Sequence, residues 1–319
     1  MFDITDRDYI RISGLRIVNA GPGPYSAGIL VRQGRHIIIE DNYIYNTSDS
    51  GIGVWYSEDV IIDNNEVEEA CYDKSNESIT VCRTDGFEIK HNLVHHGFKE
   101  GIDAKDGSRN GKIYGNHVHH MESVNIYVDA YGTHAYNIEV FNNIVHDSPT
   151  GLALASEQGG LLENVKVYNN VSYSNLVGLY MWDCCGDSTP IQNVQIVNNT
   201  FYDNGRNSWG GGILLENPEA EDVIVRNNIC SENFYFQICA QDVPSQNYTV
   251  DHNLIDGFRG NEGEIYGDDY VEGDPRFIDP VGADFHLQGD SPAIDNGSSQ
   301  NAPSNDFDGQ QRPVGAGYD

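Results

Sequence analysis

Four side chains near the middle of this chain have the types and spacings of an acid–base site: Asp103, Lys105, Asp129 and Glu157. A lysine ringed by carboxylates keeps its proton and is a poor base unless something offsets the acids. A calcium ion would do so, and Asp85, Glu100, Asp103 and Asp106 offer it oxygen ligands. Lys105 could then take a proton next to a uronate carboxylate and start a β-elimination. The alternative is hydrolysis by a carboxylate pair, Asp129 with Glu157, and Asp103 as a third candidate. Either reaction needs a surface that holds sugar rings. Trp55, Tyr56, Tyr127, Tyr180 and Trp182 supply aromatic faces, and Arg83 supplies a cation.

These residues lie far apart in sequence, so a repeat must bring them together. Asparagine recurs at positions 42, 65, 92, 116, 143, 170, 199, 228 and 253, at steps of 23 to 29 residues. Each closes a phrase of alternating apolar and polar residues, such as VIIDNNEVEE or IEVFNNIVHD. Alternation is the period of a half-buried strand. A second short strand follows the asparagine, as in Leu93-Val94-His95. A Gly-apolar pair then opens a third: Gly28-Ile29, Gly51-Ile52, Gly101-Ile102, Gly151-Leu152, Gly178-Leu179, Gly212-Ile213. Three short strands per period predict one coil of a single-stranded right-handed parallel β-helix, an all-β solenoid of about ten coils. Such a rod is on the order of 48 Å long. The stacked asparagines would form a hydrogen-bonded ladder. The leucine-rich signature is missing, and a propeller needs longer periods.

Aligned on their first apolar residue (Ile52, Ile102, Ile126, Leu152, Leu179, Ile213), the third strands turn two positions outward. One row reads Gly53, Asp103, Tyr127, Ala153, Tyr180, Leu214. The other reads Trp55, Lys105, Asp129, Ala155, Trp182, Glu216. Lys105 and Asp129 fall in one lateral slot on adjacent coils. Glu157 lies one coil and two positions from Asp129, on the order of 8 Å away, which suits an inverting carboxylate pair. Glu77, Arg83 and Asp85 precede the Gly101 strand and are expected close to this face.

The formal net charge is −31, from 49 acids and 18 bases. Nucleic acid is thereby excluded as a partner, since phosphate binding needs a basic face. No stretch approaches the length of a membrane span, so no membrane insertion is expected, and the chain reads as a monomer. The six cysteines fit no zinc spacing. Cys71 with Cys82, and Cys230 with Cys239, could each close a disulfide or stay as free core thiols. His95, His96, His119, His120 and His146 recur on the second strand and read as a periodic stack rather than a metal site. The repeat fades after residue 260. Residues 1–260 are read as the helix and 261–319 as an irregular segment packed on the last coils, with Asp306 and Asp308 in a surface turn. Met1 leads straight into repeat-like sequence. A solenoid end needs a cap, so a longer precursor with a preceding cap and signal is expected.

The N-x-I/V repeats and the tail DPRF…DFHLQGDSPAIDNG…DFDGQQRP resemble right-handed parallel β-helix proteins of the carbohydrate-active type, polysaccharide lyases and glycoside hydrolases among them. DGF at Asp85 with EGID at Glu100–Asp103 resembles the calcium-binding acids of family 9 pectate lyases. Glu100 with Lys105, followed by Asn110 and IYGN, is similar to family 6 alginate and dermatan lyases. The resemblance implies an extracellular or cell-surface polysaccharide-degrading enzyme, foremost a calcium-assisted lyase acting on a uronate-containing glycan. A glycoside hydrolase and a non-catalytic, tailspike-like or adhesin glycan-binding rod are the alternatives.

Overall fold

The structure is a computed structural model and describes residues 1–319 except residues 24, 25, 184, 186, 187, 207, 208, 242 and 319. Three parallel sheets of ten, ten and eleven strands run the length of a right-handed rod. Each coil contributes one strand to each sheet, in the order first, second, third. Ile102–Lys105, Arg109–Tyr114 and His117–His119 form one such coil. The ten strands of each of the first two sheets make nine coil-to-coil steps, so the expected solenoid of about ten coils is the observed fold.

Inward residues make one continuous core. Ile102, Ala104, Ile113 and Val118 of that coil are fully buried and belong to it, together with the equivalent Ile, Val and Leu of the other coils. Glycine opens the first-sheet strands because the next coil passes too close for a side chain. A Cβ on Gly101 would stand 2.6 Å from the carbonyl oxygen of Asn125.

The asparagine ladder occupies the bend between the second and third sheets. Asn143 gives its Nδ2 protons to the Ile113 carbonyl at 2.9 Å and to Asn170 Oδ1 at 2.9 Å. Its own Oδ1 accepts from the backbone and side-chain nitrogens of Asn116, both at 3.0 Å. The pattern is unbroken from Asn42 to Asn253. The residue before each ladder asparagine is left-handed, as at Asn64, His91, Gly115 and Asn142, with φ between 52° and 63°. Asn, Asp, His and Gly tolerate that conformation best, which explains the recurring NN, HN and GN pairs. A second buried ladder, absent from the sequence reading, joins Asn175, Asn204 and Asn233 at the bend into the first sheet.

The four cysteines weighed as disulfide partners are buried free thiols. Cys71 and Cys230 point into the core, whereas Cys82 stands in the outward row beside Trp55 and Lys105, and Cys239 belongs to a separate outer cluster. Opposite faces keep the members of each pair apart. Cys184 lies outside the described residues. The third sheet runs on to Val271–Glu272. Beyond it, a short antiparallel pair, Phe277–Asp279 with Asp284–Leu287, lays Phe285 against Tyr173 and Tyr202. The segment then folds back along the rod, where Asn142 and Asn169 hold the carbonyls of Phe307 and Asn305. Asp306 accepts from the backbone N–H of Gln310, and Asp308 pairs with His286, in a surface turn.

Removing one rung of the ladder leaves several buried backbone and amide groups unpaired. Asn143→Ala should therefore cost about 3 kcal/mol, read from the shift of the urea unfolding midpoint. A cost below about 1 kcal/mol would show that the ladder aligns the bend without stabilising it.

Candidate functional site

The register confirms the two outward rows. Asp103 pairs with Tyr127, and Lys105 with Asp129. Tyr127 and Asp129 pair with Ala153 and Ala155, and these with Tyr180 and Trp182. One coil is missing from the sequence alignment. Ile79–Cys82 lies between the strands of Ile52 and Ile102 and sets Thr80 beside Asp103. Ser78 stands where its neighbours have glycine, so the Gly-apolar signal fails there.

That coil supplies the residue that decides the electrostatics. Glu77 is 2% exposed. It accepts from Lys105 Nζ at 2.6 Å, Lys99 Nζ at 2.9 Å and Thr80 Oγ1 at 2.9 Å. Burial alone would raise its pKa, but the charges of Lys105 and Lys99 outweigh that and hold it low. Burial would likewise lower the pKa of Lys105, and the charges of Glu77 and Asp103 overcome it and hold the amine protonated. Lys99, which the sequence reading did not single out, also stands 3.4 Å from Glu100.

The neighbouring acids are pushed the other way. Asp103, 2% exposed, is raised far above the carboxylate range by burial and by the charge of Glu77. Asp129, 3% exposed, is pushed up to about 7, first by burial and then by the charge of Glu157. The Asp129 carboxylate also accepts from the backbone N–H of Tyr131. Tyr127 lies between the acids. Its hydroxyl donates to Glu157, and burial with the charges of Asp129 and Glu157 keeps it protonated. Lys105, Glu157, Tyr180 and Trp182 remain partly exposed on this face. The structure thus gathers Asp103, Lys105, Tyr127, Asp129 and Glu157.

The acids expected to hold calcium do not converge. Asp85 belongs to the second sheet, where Arg109 and Asn110 take both its oxygens. Asp106 lies past the end of the strand, bound by Arg83 and Thr133. The strand turns between Asp103 and Asp106, which separates residues that are close in sequence. Glu100 and Asp103 remain, each with one buried oxygen that has no hydrogen-bond partner.

The aromatic residues flank the charged centre. Tyr180 and Trp182 stack at 5.2 Å, and Trp182 packs on Tyr127, Ala153 and Ala155. On the other side Trp55 lies flat over Gly53, where a Cβ would meet the ring at 2.1 Å. Tyr56 is exposed, and the Arg83 guanidinium sits 5.5 Å above its ring. Trp55 and Trp182 share one row five coil steps apart, about 24 Å at the strand spacing.

A right-handed stack of three parallel sheets, with a row of acids and aromatics along one of them, defines the class of parallel β-helix proteins. The chain belongs to the family of the right handed beta helix region, which matches residues 2–138 and 127–269. It is 27% identical to the protein YwoF of Bacillus subtilis (strain 168), over 91% of this chain and 73% of that one. Among solved structures it is similar to pectate lyase Pel9A, with a TM-score of 0.61 and 12% identity over 88% of this chain and 70% of the other. It is also similar to the periplasmic alginate epimerase AlgG, with a TM-score of 0.51 and 16% identity over 64% of this chain. The chain spans 48% of the length of that epimerase.

The raised pKa of Asp129 has a consequence for stability. A carboxyl at about 7 when folded and about 3.9 when unfolded binds its proton more tightly in the folded state. Its contribution is complete below pH 4 and is lost as pH rises through 7. Asp129→Asn keeps the acceptor for Tyr131 and removes the ionisation. The variant should therefore lose less Tm than the parent between pH 5 and pH 8, and parallel Tm losses would show that Asp129 is already ionised at pH 5.

Proposed function

We propose that this protein degrades an extracellular polysaccharide by hydrolysis, with Asp129 as general acid and Glu157 as general base. The observation that carries the reading is the contrast within one row. Asp129 is buried and holds its proton close to neutral pH beside Glu157, while Lys105 is locked onto Glu77 and cannot act as a base. A carboxyl that keeps its proton close to neutral pH beside a second carboxyl is suited to the general-acid role. Glu157 follows the strand Thr150–Ala155, and its carboxylate bonds the Tyr127 hydroxyl; a separation of about 6.5–9.5 Å from Asp129 would leave room for a water and give inversion at the anomeric carbon. Asp103, neutral and next to Tyr127, would donate to a sugar hydroxyl. Trp55, Tyr56 and Arg83 on one side, and Tyr180 and Trp182 on the other, would hold the chain. The names of Pel9A and AlgG, a pectate lyase and an alginate epimerase, support a polysaccharide as the ligand and a place outside the cytoplasm.

A second reading keeps the elimination chemistry. It rests on a buried Asp103 oxygen without a hydrogen-bond partner and on Glu100, whose buried oxygen has Lys99 Nζ at 3.4 Å; a calcium ion would find two ligands there and would supply charge for a uronate carboxylate. Lys105 would have to release Glu77 before it could accept a proton.

Polygalacturonate, alginate and neutral glycans, each with and without EDTA, separate these readings. New reducing ends without ultraviolet absorbance, unaffected by EDTA, are expected. Asp129→Asn and Glu157→Gln should each lower the rate about 10²–10⁴-fold. Unsaturated products that vanish with EDTA would replace hydrolysis by elimination. Binding without any cleavage would make the protein a glycan-binding rod.

A further inference from the structure

The histidines of the third sheet stack as the periodicity implies. His95 lies on His119 at 5.3 Å, His119 on His146 at 4.8 Å, and His146 on Tyr173 at 4.7 Å, with interplanar angles of 8°, 11° and 16°. His96 and His120 form a parallel pair beside them at 4.9 Å. His117, two residues before His119 on the same outward face, departs from this column. Its Nε2 meets Nε2 of His146, one coil on, at 2.7 Å.

We infer that His117, His119 and His146 form a binding site for a zinc-class divalent transition-metal ion on the third sheet, away from the acidic row of the first. One ring nitrogen from each residue lies within 4.8 Å of the others. The tautomers suit the role. His146 Nδ1 bonds Asp147 Oδ2 at 2.7 Å, so that nitrogen carries the proton and Nε2 keeps its lone pair. This is the carboxylate–histidine arrangement that orients imidazole ligands of zinc. His119 Nδ1 meets His120 Nδ1 at 2.7 Å. In the 2.7 Å contact with His146 Nε2 the proton sits on His117 Nε2, and it would move to Nδ1 or to solvent when a metal binds. Opening the His117–His146 contact to about 3.3 Å would reach the separation of two nitrogens on a tetrahedral ion with 2.0–2.1 Å bonds.

Three neutral imidazoles select zinc, nickel or copper over calcium and magnesium, which take oxygen ligands. His117 is exposed, and it borders a cavity of about 710 Å³ between the third sheet and the C-terminal segment. A fourth coordination position would therefore face solvent, open to water or to a ligand in that cavity.

Titration of the full chain with Zn²⁺ in excess Ca²⁺, followed by calorimetry, tests the site. Tight binding of one Zn²⁺ per chain is expected, with a Co²⁺ complex showing the visible bands of a tetrahedral ion. His119→Ala and His146→Ala should each weaken binding at least about 100-fold, and Asp147→Asn about 10–100-fold. His134→Ala, on the second sheet, should leave it unchanged. No binding to the parent chain, or equal affinity in the His119→Ala/His146→Ala double variant, would overturn the inference. Circular dichroism verifies the fold of each variant. If the double variant does not fold, the Co²⁺ spectrum of the parent and the Asp147→Asn affinity decide.

Discussion

Each ladder asparagine meets the same requirement on every coil. A bend must turn the chain sharply while its amide groups are shut away from water. The buried side chain meets this by giving protons to a carbonyl of the preceding coil and to the next asparagine, and by accepting from the one before. Buried polar groups are costly unless paired, so the bond also acts as a gauge. A coil out of step by one residue would break two rungs. The three sheets keep strict register because the bends do, and every lateral row on the surface inherits that register.

This is why so much of the architecture was legible in the chain. The rung asparagine, the left-handed residue before it and the alternating strand are local signals, repeated on each coil. The outward rows followed directly, and the pairing of Lys105 with Asp129 is as the alignment predicts. Failures arose where one coil lacked the local signal or where the chain turned. Ser78 in place of glycine kept Ile79–Cys82 out of the aligned rows, so Glu77 was expected near this face but its contact with Lys105 was not. Asp85 looked close to Asp103 because sequence separation does not reveal that a corner places it on another sheet. The environment of an acid was also unreadable. Asp103 and Asp129 are outward in register yet almost fully buried, since the loops and side chains that cover them come from other coils.

Burial and charge together then sort the central residues. Glu77 with Lys99 and Lys105 forms a compact ionised group in which two ammonium groups balance a buried carboxylate and the carboxylate keeps both protonated. Neutralising that carboxylate would release the lysines toward Asp103. As long as it is charged, Asp103 faces a negative neighbour and keeps its proton. The alternation of ionised Glu77 and protonated Asp103 across one coil step is a direct result of which acid secured the lysines. It also places the proton-carrying acids on the side of Tyr127 and Glu157, where the half-exposed aromatic residues are.

A parallel solenoid in register puts like residues in columns, and columns of identical groups are normally structural. The asparagine ladder is of this kind, and so is the stacking of His95, His119 and His146, until His117 joins two of those rings to a proposed metal site. Departures from a column carry more information, because a repeat by itself has no reason to produce them. Lys105 followed by Asp129, and then by Ala155, breaks the first-sheet row and marks the candidate site. His117 breaks the third-sheet pattern by meeting His146 across a diagonal, where its neighbours in the row are Leu93 and Ile144. A diagonal contact brings nitrogens toward a common point, whereas stacking keeps ring planes parallel and their edges apart. The same geometric rule therefore separates two surfaces of one rod, and the residues that violate a column are those on which both proposed sites are built.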